Sequence, residues 1–158
     1  MDLQKLVAQE KIKKQLYTYC KGIDTRDWAL VRSCFGEGHK HSHPPFVGTL
    51  DEFVSFASQN IKVIKTSHHS ISNMIIDVSD DCLSASTDAY FTAFHLIEAG
   101  SATKLSFVTD DVDTDWIVAG AYSDKWICQD GNWLIIEREA RHIWERIEPA
   151  KPPVKKKS

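Results

Sequence analysis

Side chains that can move protons near neutral pH are the first feature of this sequence of 158 residues. Histidine has an unperturbed pKa near ~6.5, so it can give and take a proton at physiological pH. One of the seven histidines, His69, stands at the start of a segment with strand periodicity. The hydroxyls of Tyr19 and Tyr122 can donate to a carbonyl oxygen or a leaving hydroxyl. A single histidine at a strand start is usually structural. These residue types therefore make proton transfer a candidate activity, but they do not identify the residue that carries it out.

Three other histidines alternate along the chain. His39, His41 and His43 would lie on one face of a strand, where they could bind a metal ion. No nearby carboxylate or cysteine completes a ligand set except Glu37, so a solvated or rim strand is the better interpretation. The acidic run 111–115 begins like a calcium loop but lacks the glycine and the glutamate that such a loop needs further on. We therefore expect no bound metal.

The last predicted strand carries side chains that share parity and would face one side of the sheet, namely Arg138, His142 and Trp144. If that side faces a pocket, these residues are candidates for substrate binding. Arg138 could then hold a carboxylate or an enolate. The alternative is that Arg138 only pairs with a neighbouring acid, which would be Glu137, Glu139 or Asp124.

Composition excludes several classes of function. A net charge of −3 gives no general attraction to nucleic acid or to anionic lipid. No apolar run approaches the ~20 residues that span a bilayer, and charges interrupt every turn of the N-terminal segment, unlike a signal peptide. Four cysteines without CxxC spacing are typical of reduced, mostly buried thiols. These features predict a cytoplasmic protein.

Helices come first along the chain. Apolar residues at helical spacing predict a first helix, which Asp2 could cap and whose pattern weakens at Gly22. The same spacing predicts a second helix over 27–34. A capping box of Thr49 and Glu52 begins a third.

From residue 69 the periodicity becomes alternating. It predicts strands over 71–78, 84–97, 104–109, 116–128 and 133–146, joined by short turns as an antiparallel meander. This order predicts an α+β domain over 1–147, and a flexible tail rich in proline and lysine over 148–158.

Three stretches resemble the SnoaL-like group of the nuclear transport factor 2-like superfamily. The first, over 17–28, is a tyrosine-rich helix end followed by an acidic residue. The second is the strand start His69–Asn73, with the pattern His-x-x-x-Asn. The third is the pair of last strands, which includes 120–126, 130–133 and Arg138. The resemblance covers nearly the whole chain. It implies a cone-shaped curved sheet, mixed or antiparallel, wrapped by N-terminal helices around a pocket.

The resemblance also implies roles for particular residues. The group includes dehydratases of the bile-acid and scytalone types and a dehydrochlorinase, and an Asp–His pair of the group carries over to Asp24 and His69. Tyr19 stands where the dehydrochlorinase has a lysine, which argues against halide elimination. Tyr122 matches a second pocket tyrosine, and His142 falls where the bile-acid enzyme has an arginine. The alternative for Asp24 is a helix cap at the following segment.

These observations lead to one main hypothesis and two alternatives. The main one is a cofactor-free lyase of the dehydratase type, acting on a medium-sized apolar or aromatic hydroxylated substrate with Asp24, His69 and Tyr19 as catalytic residues. An isomerase or a polyketide-type cyclase would use the same proton transfers. A non-catalytic ligand-binding or association domain is the alternative from another class. Under each of these hypotheses the expected partners are a small molecule and further copies of the chain, as a dimer or trimer.

Overall fold

A computed structural model describes residues 3–101 and 111–151 of the chain. In these ranges three helices precede or interrupt the first strands, and long strands follow. The helices are α1 (Leu3–Thr25), α2 (Trp28–Arg32) and α3 (Leu50–Asn60), which a short 3₁₀ turn extends over Ile61–Val63. The strands are β1 (Phe35–His43), β2 (Phe46–Gly48), β3 (Ile64–Val78), β4 (Ser84–Ile97), β5 (Thr114–Gln129) and β6 (Asn132–Pro149).

The six strands form one curved sheet in the order β2-β1-β6-β5-β4-β3. The meander predicted from the sequence is its larger part, since β3 to β6 pair with their neighbours in antiparallel fashion. β1 adds to the far side of β6 in parallel, which makes the sheet mixed. The predicted α+β class with a curved mixed sheet and N-terminal helices is therefore confirmed.

α1 covers the concave side of the sheet with one apolar face. Ile12 and Leu16 are fully buried and Tyr19 nearly so, which is the helical spacing seen in the sequence. The helix runs through Gly22, where the sequence predicts a loosening. A side chain there would meet Val31 of α2 at 2.8 Å, so this glycine permits close packing of the two helices. Asp2, the predicted cap, lies outside the described residues.

α3 closes one end of the cone. Its capping box is confirmed, since Thr49 accepts from the amide of Glu52 while the Glu52 carboxylate accepts from the amide of Thr49. The apolar face of the helix carries Phe53 and Phe56 toward β1 and β2. α3 therefore supplies aromatic wall to the space beneath it.

Some predicted boundaries are displaced. β3 begins at Ile64, seven residues before the predicted start at 71, because pairing with β4 extends the ladder beyond the part that alternates in sequence. β6 continues to Pro149, three residues beyond the predicted strand end at 146, because it pairs with β5 as far as Thr114. The predicted strand 104–109 and tail residues 152–158 lie outside the described residues.

Candidate active site

A cavity of about 380 Å³ opens between the sheet, the end of α1 and α3. Its wall is mostly apolar and aromatic, and Phe53, Phe91 and Trp116 are its largest rings. Four imidazoles interrupt this wall, those of His43, His69, His95 and His142. A cavity of this size with few polar groups is typical of a site for a small molecule.

Asp24 and His69 are in contact at the wall of this cavity. The Nδ1 atom of His69 lies 2.6 Å from Oδ1 of Asp24, and the backbone N–H of His69 donates to Oδ2 at 2.9 Å. Ser67 donates its hydroxyl to the same carboxylate at 3.0 Å. Asp24 thus receives hydrogen bonds from two residues of β3 and does not cap α2, whose cap is Asp27.

These hydrogen bonds decide the charge of the Asp24 carboxylate. Burial would raise the pKa of Asp24, but the bonds from His69 and Ser67 outweigh it and hold the pKa below its ordinary value. The carboxylate is therefore ionised at neutral pH, and Nδ1 of His69 carries the proton that it donates to Asp24. Nε2 of His69 then holds the lone pair that a general base needs. Because His69 lines the cavity and Asp24 lies behind it, this arrangement can accept a proton from a bound molecule.

His95 is a second imidazole beside the first. Its ring lies 5.5 Å from that of His69 at 85°, and it stacks on Trp116 at 4.7 Å. Nδ1 of His95 lies 3.3 Å from the carbonyl oxygen of Trp116, which only a donor can satisfy. Burial lowers the pKa of His95 to about 4, so the ring is neutral at pH 7. Trp116 in turn donates its indole N–H to Glu145 at 2.9 Å.

Tyr19 and Tyr122 line the cavity with their rings edge to face, 6.1 Å apart. Burial raises the pKa of Tyr19 to about 12 and raises that of Tyr122 further above its ordinary range. Both hydroxyls therefore stay protonated and can donate hydrogen bonds at neutral pH. The guanidinium of Arg138 lies 4.3 Å from the Tyr19 ring centre and 4.2 Å from that of Tyr122, between the two rings.

Arg138 lies beneath the tyrosines and outside the cavity lining. Its Nε and Nη2 atoms donate to the two carboxylate oxygens of Asp124, both at 2.7 Å, and both side chains are 0% exposed. Burial opposes the charge of Arg138, but Asp124 outweighs it and raises the pKa of the guanidinium. The geometry matches the alternative of a paired arginine, so the described contacts give Arg138 a supporting position under Tyr19 and Tyr122.

The predicted shared face of Arg138, His142 and Trp144 is wrong at Trp144. A bulge shifts the register between β5 and β6, so that Gly120 pairs with His142 while Ala119 pairs with Trp144. The unpaired residue between them, Ile143, reverses which face of the sheet the following side chains occupy. His142 consequently lines the cavity from an exposed position, whereas Trp144, which is 51% exposed, lies outside the lining.

The alternating histidines of β1 are buried, so the rim-strand interpretation is wrong for His39 and His41. Their rings are 4% and 1% exposed, because His39 packs on Phe35 at 4.3 Å and His41 stacks on Phe53 at 3.9 Å. Burial lowers the pKa of His39 to about 4 and that of His41 to about 2, so both rings are neutral. Within ranges 3–101 and 111–151, no three potential ligands are placed to hold a metal ion.

The sequence reasoning missed His95, Glu145 and the role of His43 in the cavity wall. The alternating pattern of β4 could have identified His95, because every second residue from Phe91 through Ala93 to His95 faces the cavity. Glu145 could not be found this way, since the bulge in β6 reverses parity before it.

The cavity and its residues can be compared with known proteins. The family model described as SnoaL-like domain matches residues 4–139. No curated protein sequence matches the chain. Among the described residues, no helix has the length and apolar character to cross a membrane.

Several solved structures share the fold. A protein provisionally assigned as a scytalone dehydratase from Novosphingobium aromaticivorans is 21% identical with a TM-score of 0.77, covering 99% of this chain and 100% of its own. A type 2 hexachlorocyclohexane dehydrochlorinase is 12% identical with a TM-score of 0.78, and 98% and 99% are covered. A nuclear transport factor 2-like superfamily protein from Salmonella enterica is 14% identical with a TM-score of 0.69, and 98% and 99% are covered.

Proposed function

The chain belongs to the SnoaL-like domain family, and from this premise we propose that it is a cofactor-free lyase that removes water from a hydroxylated carbonyl compound. The observation that carries the proposal is the contact of 2.6 Å between His69 and Asp24 at the wall of an apolar cavity. The similarity in fold to proteins described as a dehydratase and a dehydrochlorinase supports an elimination.

The proposed reaction needs only the groups of the cavity. Nε2 of His69 takes a proton from the carbon next to the substrate carbonyl, and the electrons of that C–H bond form the new double bond. The hydroxyl on the adjacent carbon leaves as water with the proton returned by the imidazolium of His69. Asp24 stabilises the imidazolium while it exists. The hydroxyl of Tyr19 or Tyr122 donates to the carbonyl oxygen or to the departing hydroxyl.

The apolar wall contributes by excluding water. In a site of low polarity, the Asp24 charge and the tyrosine hydroxyls act more strongly on the developing charges than they would in water. The mostly aromatic lining suits a medium-sized apolar or aromatic substrate. Isomerisation or ring closure would use the same base, and these differ from dehydration because the product keeps the mass of the substrate.

The test is a screen of hydroxylated carbonyl compounds by mass spectrometry, followed by substitution of the dyad. We expect a product lighter by one water, formed by the wild type and by His68→Ala, and lost in His69→Ala. His68 is a matched control, because it is the adjacent histidine, is exposed and does not line the cavity, with its contacts to Ser70 and the Phe94 ring. Full turnover by His69→Ala would contradict the proposal, and a product of unchanged mass would indicate an isomerase or cyclase.

We also propose that the chain self-associates through the outer face of the sheet. Tyr90 and Phe94 of β4 are 49% and 44% exposed, and Trp144 of β6 is 51% exposed. The register places them around Ala119 and Ile117 of β5, so they form one apolar patch across three strands. Such a patch on a sheet is typical of a surface that a second copy covers.

A further inference from the structure

We propose that His43 and His142 form a second polar subsite in the cavity, and that this subsite holds a second oxygen function of the substrate. The substrate class is then an apolar ring frame that carries, besides the reacting group, a hydroxyl or carbonyl remote from it. The inference rests on the proposed function, since it names the substrate of the same cavity.

The two rings stand together although they come from distant parts of the chain. His43 ends β1 and His142 lies just before the bulge of β6, and their ring centres are 5.5 Å apart at 86°. Both residues line the cavity. An oxygen atom placed beside this edge-to-face pair can reach both imidazoles.

His43 carries an unsatisfied polar atom at this place. Its Nδ1 is buried and has no hydrogen-bond partner among the described residues. A buried polar nitrogen without a partner costs about 1–3 kcal/mol. The cavity therefore contains a histidine whose Nδ1 is already without a partner in the described part of the chain, and a hydroxyl group beside the rest of the ring can add a hydrogen bond that a methyl group cannot.

Packing fixes the His43 ring in its orientation. It stacks nearly parallel to His41 at 6.1 Å and at 25° to Phe53 at 6.0 Å. Tyr122 approaches it at 6.5 Å. A ring held on these sides is preorganised for one ligand atom, which is how a small polar group in an apolar cavity gives specificity.

The ring is also in the charge state that suits a neutral oxygen. Burial, together with the nearby His142, Arg138 and His69, lowers the pKa of His43 to about 3. A neutral imidazole has one donor and one acceptor nitrogen, so it can bind a hydroxyl in either sense.

Binding of two inert probes by isothermal titration calorimetry tests the subsite without catalysis. The probes are 2,6-dihydroxynaphthalene and 6-methyl-2-naphthol, which share a frame and one hydroxyl and differ by a hydroxyl or methyl at the far end. For the wild type we expect the diol to bind about fivefold more tightly, the ratio that one net hydrogen bond of about 1 kcal/mol gives. An apolar subsite would favour the methyl compound.

The variants His43→Phe and His142→Phe keep a ring in place and remove the polar atoms. We expect each to lose the preference for the diol while binding 6-methyl-2-naphthol as the wild type does. His142→Phe keeps the test decisive if His43→Phe does not fold. A wild type that binds both probes equally, prefers the methyl compound or binds neither at millimolar concentration would overturn the inference, as would variants that keep the preference.

The failure of this subsite and the failure of the proposed function are distinguishable. His69→Ala should keep the preference for the diol, because His69 belongs to the other polar pair of the cavity. If the preference is present and turnover survives in His69→Ala, the subsite stands and the base is wrongly assigned. If the preference is absent and turnover depends on His69, the lyase stands and only the subsite is wrong.

Discussion

His69 presents both its ring and its backbone to Asp24, with Nδ1 at 2.6 Å from one carboxylate oxygen and the amide nitrogen at 2.9 Å from the other. This two-point contact fixes the imidazole relative to α1. It joins the end of the helix to the start of the inward-facing part of β3, so the reactive ring does not depend on a loop for its position.

Replacement of Asp24 by asparagine tests whether this contact serves proton transfer. Asp24→Asn keeps the size of the side chain and removes the charge that stabilises the imidazolium. We expect kcat to fall by about 10²–10⁴-fold with KM changed little, as for a positioned acid–base group. Steady-state kinetics on the substrate found by screening gives the result. Unchanged kcat would show that the carboxylate has no part in the reaction.

Arg138 and Asp124 should behave as a structural pair. Arg138→Leu leaves the Asp124 carboxylate buried without a partner, and we expect a loss of about 3–5 kcal/mol in the free energy of unfolding. The double variant Arg138→Leu with Asp124→Leu removes both charges and should recover much of that loss. Urea unfolding of both variants measures the difference. An Arg138→Leu protein of normal stability and no activity would instead indicate a guanidinium that contacts substrate.

Acid should destabilise the fold through its buried histidines. Burial lowers the pKa of His39, His41, His43 and His95 to about 4, 2, 3 and 4 in the folded protein, whereas the unfolded chain titrates near ~6.5. The unfolded state therefore binds more protons below that pH, so the contribution of these histidines to stability is constant above it and is lost as the pH is lowered from about 6.5 toward 4. Urea unfolding at a series of pH values measures this loss.

One substitution isolates a single group in that titration. His41→Phe should reduce the slope of unfolding free energy against pH, measured below pH 6, by up to about 1.4 kcal/mol per pH unit, the contribution of one proton. His68→Gln, on the exposed side of β3, is the control and should leave the slope unchanged. Equal slopes for His41→Phe and the wild type would mean that His41 is not buried as a neutral ring.

Self-association through the outer patch has its own test. Trp144→Glu places a charge in the apolar patch of Tyr90, Phe94 and Trp144, and we expect it to convert an oligomer into a monomer. Light scattering coupled to size exclusion measures the mass in solution. Val47→Glu is a matched control, since Val47 is 74% exposed but lies on the edge strand β2, which β1 separates from the strands of the patch. A wild type that is monomeric at high concentration would exclude the interface.

The sequence was most informative where one rule of periodicity held over a whole element. Alternation located β4 over Ser84–Ile97, and the Thr49–Glu52 box located the start of α3. The sequence was least informative where tertiary contacts determine strand pairing and register. The parallel pairing of β1 with β6 has no local signal, and the bulge after His142 follows from pairing with β5 rather than from residue type.

The candidate site shows the same division. Residue type and family resemblance brought Asp24, His69 and the two tyrosines together correctly in space, because their elements are fixed by strong local patterns. Residue type and resemblance could not show that Arg138 faces Asp124 and not the cavity. Strand alternation tells which face of the sheet a side chain is on, but not how far from the cavity it lies. The distance of Arg138 from the cavity depends on how α1 covers that face of the sheet.

The position of α3 has a consequence for how the cavity can change. The helix supplies Phe53 and Phe56 to the cavity wall but none of the groups assigned here to proton transfer, which come from α1, β3 and β5. The aromatic wall from α3 and the proposed proton-transfer groups therefore come from separate parts of the chain. Substitutions in α3 can reshape the cavity while leaving the contact between His69 and Asp24 intact, so the range of bound molecules can change independently of the proposed reaction.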